Sequence, residues 1–435
     1  MIESEARDRL RALEADGDPV AEERAWESVR RAYVSGLERS GRTRHPLRTW
    51  RTRRTWRTRR MTVAAAAGLA LLILVALTVV RPPREAVGRW LREAIGLSAT
   101  PHPRPLLAGL PGGGQLLINS ATGPWIVNRQ GHRRYLGRYA AAAWSPHSLY
   151  VVAWRQNELA ALSPLGRRQW ARVAPATISV ARWSRDGYRI AYLSGRALWV
   201  VAGDGSGDHE LRARVDPVPP AWQPGASAHR IAFVDGAGAI GLVEADTGVA
   251  LARVRAAEPI RALAWSPDGG LLVAASAHRL ALYDARGHLL SLRRLPAGQT
   301  VAAVAFAPRG RRLALILRGA AGNSIGLLTA SRGGFQHPAE ILFSARAQIN
   351  GLNWSPDDHW LLASSPSGDQ WIFIRARPPV RLEAVSRIRA QFLTPPGGAR
   401  ARRLRGTRTT LATPGANGFP TLGGWQSPPS PQPSG

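Results

Sequence analysis

The sequence of 435 residues contains no cysteine and no lysine. Without cysteine there can be no disulfide, no thiolate metal site and no cysteine nucleophile. Without lysine there can be no Walker A phosphate loop, no Schiff base and no lysine general base. The ten histidines are dispersed, with no HxH or HExxH pair to hold zinc. We therefore assign no catalytic, cofactor-binding or metal-binding residue and expect a protein that is not an enzyme.

Acidic residues are also scarce, with 29 Asp and Glu against 59 Arg and a formal net charge of +30. Such a balance ordinarily suggests nucleic acid or an anionic membrane surface as the partner. Nine Arg and no acid fall within residues 41–60, which end in the duplicated sequence TWRTRRTWRTRR. Because this block borders an apolar segment, we expect Arg42–Arg60 to contact anionic lipid and expect no nucleic acid partner.

Charge is absent altogether from residues 61–80, MTVAAAAGLALLILVALTVV. A helix of this length spans roughly 30 Å, the thickness of the hydrocarbon core of a bilayer. The apolar region of a secretory signal peptide runs only about 7–15 residues. The segment therefore predicts an uncleaved, single-pass transmembrane helix. Since the larger Arg cluster precedes it, the positive-inside rule predicts that residues 1–60 are cytoplasmic and that the chain after Val80 is extracytoplasmic.

The segments on either side of this helix carry short helical patterns. Before it, residues 1–40 contain an apolar stripe at helical spacing, formed by Trp26, Val29, Tyr33 and Leu37. The stripe is compatible with partner binding, with a disordered tail or with a helix lying on the membrane. After it, residues 81–113 are predicted to form an amphipathic helix and a linker.

An aromatic-centred segment recurs about every forty residues, at Trp144, Trp183, Trp222, Trp265, Phe306 and Trp354. Each segment reads as an apolar strand ending in the aromatic, then a turn of the Ser-Pro-Asp-Gly type, then an alternating strand. In the clearest repeat, four strands occupy residues 263–266, 270–276, 278–285 and 288–295, which is the pattern of one propeller blade. We expect the five Trp of these segments to pack in the core between blades.

The number of blades depends on the two ends of the repeat region. Residues 115–138 offer three strands with no aromatic segment before them, and residues 419–425, FPTLGGW, resemble a lone inner strand. Joined, they form a complete blade and leave no exposed sheet edge. We therefore predict an all-β, seven-bladed β-propeller over 114–392, with a six-bladed ring as the alternative. The remaining segments are a basic Gly/Pro-rich insertion (393–418), the closing strand (419–425) and a disordered tail (426–435).

Two turns carry a resemblance to a known family. Trp265-Ser266-Pro267-Asp268-Gly269 and Trp354-Ser355-Pro356-Asp357-Asp358, each followed by an alternating strand, resemble the TolB-type, WD40-like (PD40) propeller repeats. The resemblance covers about residues 114–391. It implies a β-propeller used mainly for binding, and it carries no catalytic residue.

Three short motifs suggest other chemistry. Residues 236–241 match GxGxxG, but a strand-like pattern follows where the dinucleotide site requires a helix. Residues 322–326 match GxSxG, yet they lie between two strands of a blade. Residues 204–208 read Asp-Gly-Ser-Gly-Asp without the ligand spacing of a calcium loop. We interpret the first and third as hairpin turns and the second as a chance match.

These observations predict a non-enzymatic membrane protein that displays an extracytoplasmic propeller to bind a protein or small ligand. The alternative is a transmembrane regulator, similar to an anti-sigma factor, whose residues 1–40 hold a cytoplasmic partner.

Overall fold

The computed structural model describes residues 107–225, 229–394 and 418–428. The predicted cytoplasmic segment, the predicted transmembrane helix at 61–80, residues 81–106 and nearly all of the predicted insertion lie outside these ranges. Within them, no helix is both long and apolar enough to span a bilayer.

The described chain forms seven antiparallel sheets of four strands each. The first three blades in chain order are blade 1 with β4 (Ala141–Trp144), β5 (Val151–Arg155), β6 (Glu158–Leu162) and β7 (Arg168–Val173), blade 2 with β8 (Ile178–Trp183), β9 (Arg189–Ser194), β10 (Ala197–Ala202) and β11 (His209–Arg212), and blade 3 with β12 (Ala221–Trp222), β13 (Arg230–Val234), β14 (Ile240–Glu244) and β15 (Ala250–Val254).

The next three are blade 4 with β16 (Ala262–Trp265), β17 (Leu271–Ala275), β18 (Arg279–Asp284) and β19 (Leu289–Arg294), blade 5 with β20 (Thr300–Phe306), β21 (Arg312–Gly319), β22 (Gly322–Ser331) and β23 (Gly334–Ala345), and blade 6 with β24 (Gly351–Trp354), β25 (Trp360–Ser365), β26 (Gln370–Arg375) and β27 (Leu382–Ser386). A short helix, α1 (Ile388–Gln391), follows blade 6.

Blade 7 joins the two ends of the described chain. Its strands are β28 (Thr421–Gln426), β1 (Gln115–Ser120), β2 (Gly123–Val127) and β3 (Arg133–Tyr135), in that order. The inner strand β28 pairs antiparallel with β1, so that Leu116 lies opposite Trp425. The prediction of seven blades is confirmed, and the six-bladed alternative is wrong. The closing strand also runs one residue past its predicted end, to Gln426.

Hydrophobic side chains fill every interface between neighbouring blades, so the core consists of seven clusters. The inner strands are rich in Ala and Gly, which lets seven strands crowd around one axis. The interface between blades 6 and 7 carries four of the five largest fully buried side chains, namely Trp371, Phe373, Phe392 and Phe419. The seam where the ring closes is therefore densely packed with aromatic residues.

Residues 107–113 pack against this seam, although the sequence analysis treats them as part of a linker. Leu107 and Leu110 are buried in the same cluster as Trp371 and Phe392. The indole Nε1 of Trp425 donates a hydrogen bond of 2.7 Å to the carbonyl oxygen of Gly113. Leu107 and Leu110 are therefore part of the hydrophobic core, although the Pro/Gly-rich sequence around them predicts no core segment.

The Ser-Pro-Asp-Gly turns link the inner strand of a blade to its second strand. In blade 4, the Ser266 hydroxyl accepts the Leu271 N–H at 3.0 Å and donates to Asp268, whose Oδ1 in turn accepts the Gly270 N–H at 3.1 Å. Gly269 has φ +68°, the left-handed conformation that glycine adopts without strain. The motif is therefore explained by the hydrogen bonding of the turn.

Blade 6 places Asp358 where this motif has glycine, with φ +66°. Asp358 is 4% exposed, and its Oδ2 accepts hydrogen bonds from Arg312 at 2.7 Å and Arg377 at 3.2 Å. The Arg312 guanidinium also lies 5.1 Å from the ring centroid of Trp354. Aspartate in place of the consensus glycine thus allows an ion pair between Asp358 of blade 6 and Arg312 of blade 5.

The three short motifs have no special chemistry in the structure. Residues 236–238 form the tight hairpin between β13 and β14, closed by a hydrogen bond from the Asp235 N–H to the Ala239 carbonyl oxygen at 2.8 Å. The GxSxG segment, expected between two strands, instead lies within β22. Residues 203–208 connect β10 to β11. No group of three or more His, Asp or Glu among the described residues could hold a metal ion.

Candidate functional site: the central cavity

The aromatic ends of the inner strands converge around a cavity of about 970 Å³, called the central cavity below. Its wall is formed by Trp and Pro side chains from the inner strands and from the turns that follow them. These are Trp144, Trp183, Trp222, Trp265, Trp425, Pro146, Pro224, Pro308 and Pro356. Because all seven blades contribute to the lining, the cavity is the mouth of the propeller axis on the face of the Ser-Pro-Asp-Gly turns. Its volume lies in the range of known ligand clefts.

The Trp side chains bind the blades together as well as lining the cavity. Each Trp of the six inner strands that carry one is between 5% and 9% exposed and packs against the preceding blade. Trp222 Nε1 donates to the Arg182 carbonyl oxygen at 2.9 Å, and Trp265 Nε1 donates to that of Ala221 at 3.1 Å. The predicted core position of the Trp residues is confirmed, although their edges also wall the cavity.

Four arginines line the central cavity: Arg182, Arg185, Arg261 and Arg309. All four side chains are solvent-exposed, and no described residue of the lining is Asp or Glu. Arg182 and Arg261 belong to the inner strands or directly precede them, whereas Arg185 and Arg309 lie in the turns at the mouth. The cavity therefore combines an apolar wall with an uncompensated positive charge.

Arg182 reaches the cavity because of its place in β8. Neighbouring side chains in a strand point to opposite faces, so Arg182 points away from the interface in which Trp183 is buried. The guanidinium is accessible through the cavity, yet the surrounding protein displaces enough water to lower its pKa by desolvation. Its one hydrogen bond within the described chain joins Nη1 to the Ala181 carbonyl oxygen at 3.0 Å.

Carboxylates on the same face have hydrogen-bonding or charged partners of their own. Asp186 contacts His229 at 2.7 Å, Asp268 contacts Arg311 at 2.8 Å, and Asp358 is held by the two arginines described above. Burial alone would raise the pKa of Asp268, but hydrogen bonds from Ser266, Arg311 and the Gly270 N–H bring that pKa to about 2. Asp268 is therefore ionised at neutral pH and pairs with Arg311. Asp186 and Asp358 likewise contact residues that do not line the cavity.

The sequence alone predicts no site residue, and it does not predict the central cavity or the place of Arg182 in it. A signal exists, because Arg182 precedes the aromatic residue of its repeat. The equivalent positions in the other repeats carry small or neutral side chains, namely Ala143, Ala221, Ala264, Ala305, Asn353 and Gly424. A lone Arg at this position of an inner strand predicts a charge close to the axis.

Comparison with protein families matches two stretches of the chain to the model described as WD domain, G-beta repeat. The matched residues are 251–284 and 340–374. Each stretch contains one of the two turns that best keep the Trp-Ser-Pro-Asp-Gly motif, together with the first three strands of blade 4 or of blade 6. A comparison with curated proteins finds no match.

The solved structures that are similar to this chain are distant from it in sequence. The C-terminal WD40 domain of Sif2 aligns with a TM-score of 0.50 and 14% identity over 65% of this chain and 85% of that one. The β-propeller domain of Myceliophteria thermophila Cps50 (Swd1) has a TM-score of 0.46 at 15% identity, covering 56% and 84%. Kuenenia stuttgartiensis hydrazine synthase has a TM-score of 0.44 at 12% identity, covering 54% and 75%. The described chain is a seven-bladed propeller in which residues 251–284 and 340–374 match the WD-repeat model.

Proposed function

We propose that this protein is a non-enzymatic, single-pass membrane protein that displays an extracytoplasmic propeller of the TolB-like type and binds a protein through it. The central cavity is the observation that carries the binding role, because apolar walls and a few charged groups converge there from all seven blades. WD-type repeats, matched in blades 4 and 6, are typical of propellers that bind proteins. The anchor and its orientation rest on the apolar segment 61–80 and on the nine Arg before it.

The topology predicts opposite results for two reporter fusions. A reporter enzyme that is active only outside the cytoplasm is expected to be inactive when fused after residue 60 and active when fused after residue 100. The physical reason is the Arg block, which is retained on the cytoplasmic side. A cytoplasmic reporter fused at the same two sites is the control and should show the inverse pattern. Activity of the cytoplasmic reporter after residue 100 would contradict the proposed orientation.

The binding role predicts that cross-links form at one face of the propeller. A photo-crosslinking amino acid at Ser427, which is exposed and lines the central cavity, is expected to yield a discrete cross-linked protein in the native membrane. The matched control carries the same amino acid at Arg196, an exposed turn residue of blade 2 between β9 and β10, on the opposite face. Equal cross-linking from both positions, or none from Ser427, would contradict binding at the cavity.

A further inference from the structure

We propose that the central cavity recognises an acidic peptide segment of the partner, with Arg182 as an anchor for one of its carboxylates. This inference rests on the proposed binding function and specifies the chemistry of the bound segment. It follows from three properties of the cavity: its charge, the geometry of its arginines and the nature of its walls.

The charge of the cavity favours an anionic ligand. Four guanidinium groups line a space of about 970 Å³, and no described residue of that lining is Asp or Glu. Asp186, Asp268 and Asp358 of the same face contact residues that do not line the cavity. A concave site lined by charge of one sign focuses the electrostatic field and raises the local concentration of counter-ions. A negatively charged ligand is therefore bound more strongly in the cavity than it would be by a single arginine on an open surface.

The arrangement of the arginines favours carboxylates at two depths. Arg182 and Arg261 are associated with the inner strands of blades 2 and 4, while Arg185 and Arg309 stand in turns at the mouth. A guanidinium presents a planar fork of donors that matches a carboxylate with two parallel hydrogen bonds. Because Arg182 uses only Nη1 in its hydrogen bond to Ala181, its other donors remain available for such a fork.

The walls of the cavity favour a peptide over a small inorganic anion. Between the arginines stand five Trp and the proline rings of the turns, which offer apolar surface to the carbon atoms of a side chain or backbone. A phosphate ion would leave this surface unused, whereas a peptide with acidic side chains contacts the guanidinium groups and the rings at once. Burial of charged groups beside apolar walls also strengthens each ion pair, since the local dielectric is lower than in water.

The test uses isothermal titration calorimetry on the full chain in zwitterionic detergent at low salt. The probe is an acetylated and amidated hexaglutamate peptide, and the uncharged comparison is the corresponding hexaglutamine peptide. We expect hexaglutamate to bind and hexaglutamine not to bind. Arg182→Met should weaken hexaglutamate binding at least about tenfold, since it removes one partner of a desolvated charge pair. Arg182→Lys should weaken it less, because the charge remains while the two-point hydrogen bonding is lost.

Arg196→Met is the matched control, because it removes the same charge from the same blade on the opposite face. It should change the affinity by less than about twofold. The unfolding midpoint of each variant, followed by circular dichroism, establishes that the ring is intact. Equal weakening by Arg182→Met and Arg196→Met would overturn the proposal, since attraction would then depend on net charge alone.

Two further outcomes would also overturn it. One is equal binding of hexaglutamine. The other is failure of hexaglutamate to bind while inorganic pyrophosphate binds in an Arg182-dependent manner, which would identify a site for small anions. If hexaglutamate fails but the cross-link at Ser427 forms, the binding function stands and only the acidic nature of the bound segment is wrong.

Discussion

A chain that ends at Gly418 is expected to lose cooperative folding altogether. This truncation removes β28, leaves the inner edge of β1 without a partner and takes Phe419 and Trp425 out of the seam between blades 6 and 7. Loss of one buried Phe or Trp costs about 3–5 kcal/mol, and whole domains are stable by only about 5–15 kcal/mol. Circular dichroism on heating should show no sharp transition, and size-exclusion chromatography should show aggregates formed through the exposed edge.

The control for this truncation is a chain that ends at Pro428. It lacks the last residues of the tail but keeps the whole closing strand, so it should unfold like the full chain. Addition of a peptide of residues 419–428 to the shorter chain should restore part of the transition, because the groove beside β1 accepts that strand. A truncated chain with the same melting transition as its control would show that blade 7 is stable with three strands.

Substitution of Gly269 by Ala is expected to have the second largest effect. Gly269 has φ +68°, and a Cβ atom at this position would lie 1.9 Å from the carbonyl oxygen of Pro224 in the turn of blade 3. The left-handed conformation alone costs a non-glycine residue about 1–2 kcal/mol. The steric clash requires the turns of blades 3 and 4 to separate, which adds about 1–3 kcal/mol. The midpoint of urea-induced unfolding should therefore fall markedly.

Gly310 provides the matched control, because it holds the same place in the turn of blade 5 with φ +70°, and a Cβ atom added there would have no neighbouring atom within 4 Å. Gly310→Ala should carry only the conformational cost of about 1–2 kcal/mol. The difference between the two variants measures the close approach of the neighbouring turns. Equal midpoints for Gly269→Ala and Gly310→Ala would contradict the tight contact between blades 3 and 4.

The blade architecture could be predicted because each repeat carries its own local signals. The Trp265 repeat shows this best, since its four predicted strands agree with β16–β19 to within one or two residues at each end. Alternating apolar residues, an aromatic end and a Ser-Pro-Asp-Gly turn all act within about forty residues. The closure by residues 419–425 was predictable for a different reason. The three strands of residues 115–138 lack an inner strand, and the lone strand 419–425 lacks partner strands, so pairing the two completes a blade.

Features that depend on contacts between distant residues could not be predicted in the same way. Leu107 and Leu110 are buried only because Trp371 and Phe392 meet blade 7 at that position. In the sequence, Asp358 is only a departure from the glycine of the turn motif. Its role is visible once Arg312 and Arg377 are seen to bind it in the structure. The central cavity belongs to no single repeat, so no local pattern marks it, and only the comparison of Arg182 with its equivalents in other repeats hints at its charge.

The closing seam also affects how the protein is made. Strands β1, β2 and β3 leave the ribosome first, whereas their inner partner β28 emerges roughly 300 residues later, a delay of about 15–60 s at typical elongation rates. Throughout that interval Leu116, Leu117 and Ile118 lack the strand that covers them in the finished ring. We therefore expect nascent chains of this protein to need chaperones that shield unpaired strands until translation ends.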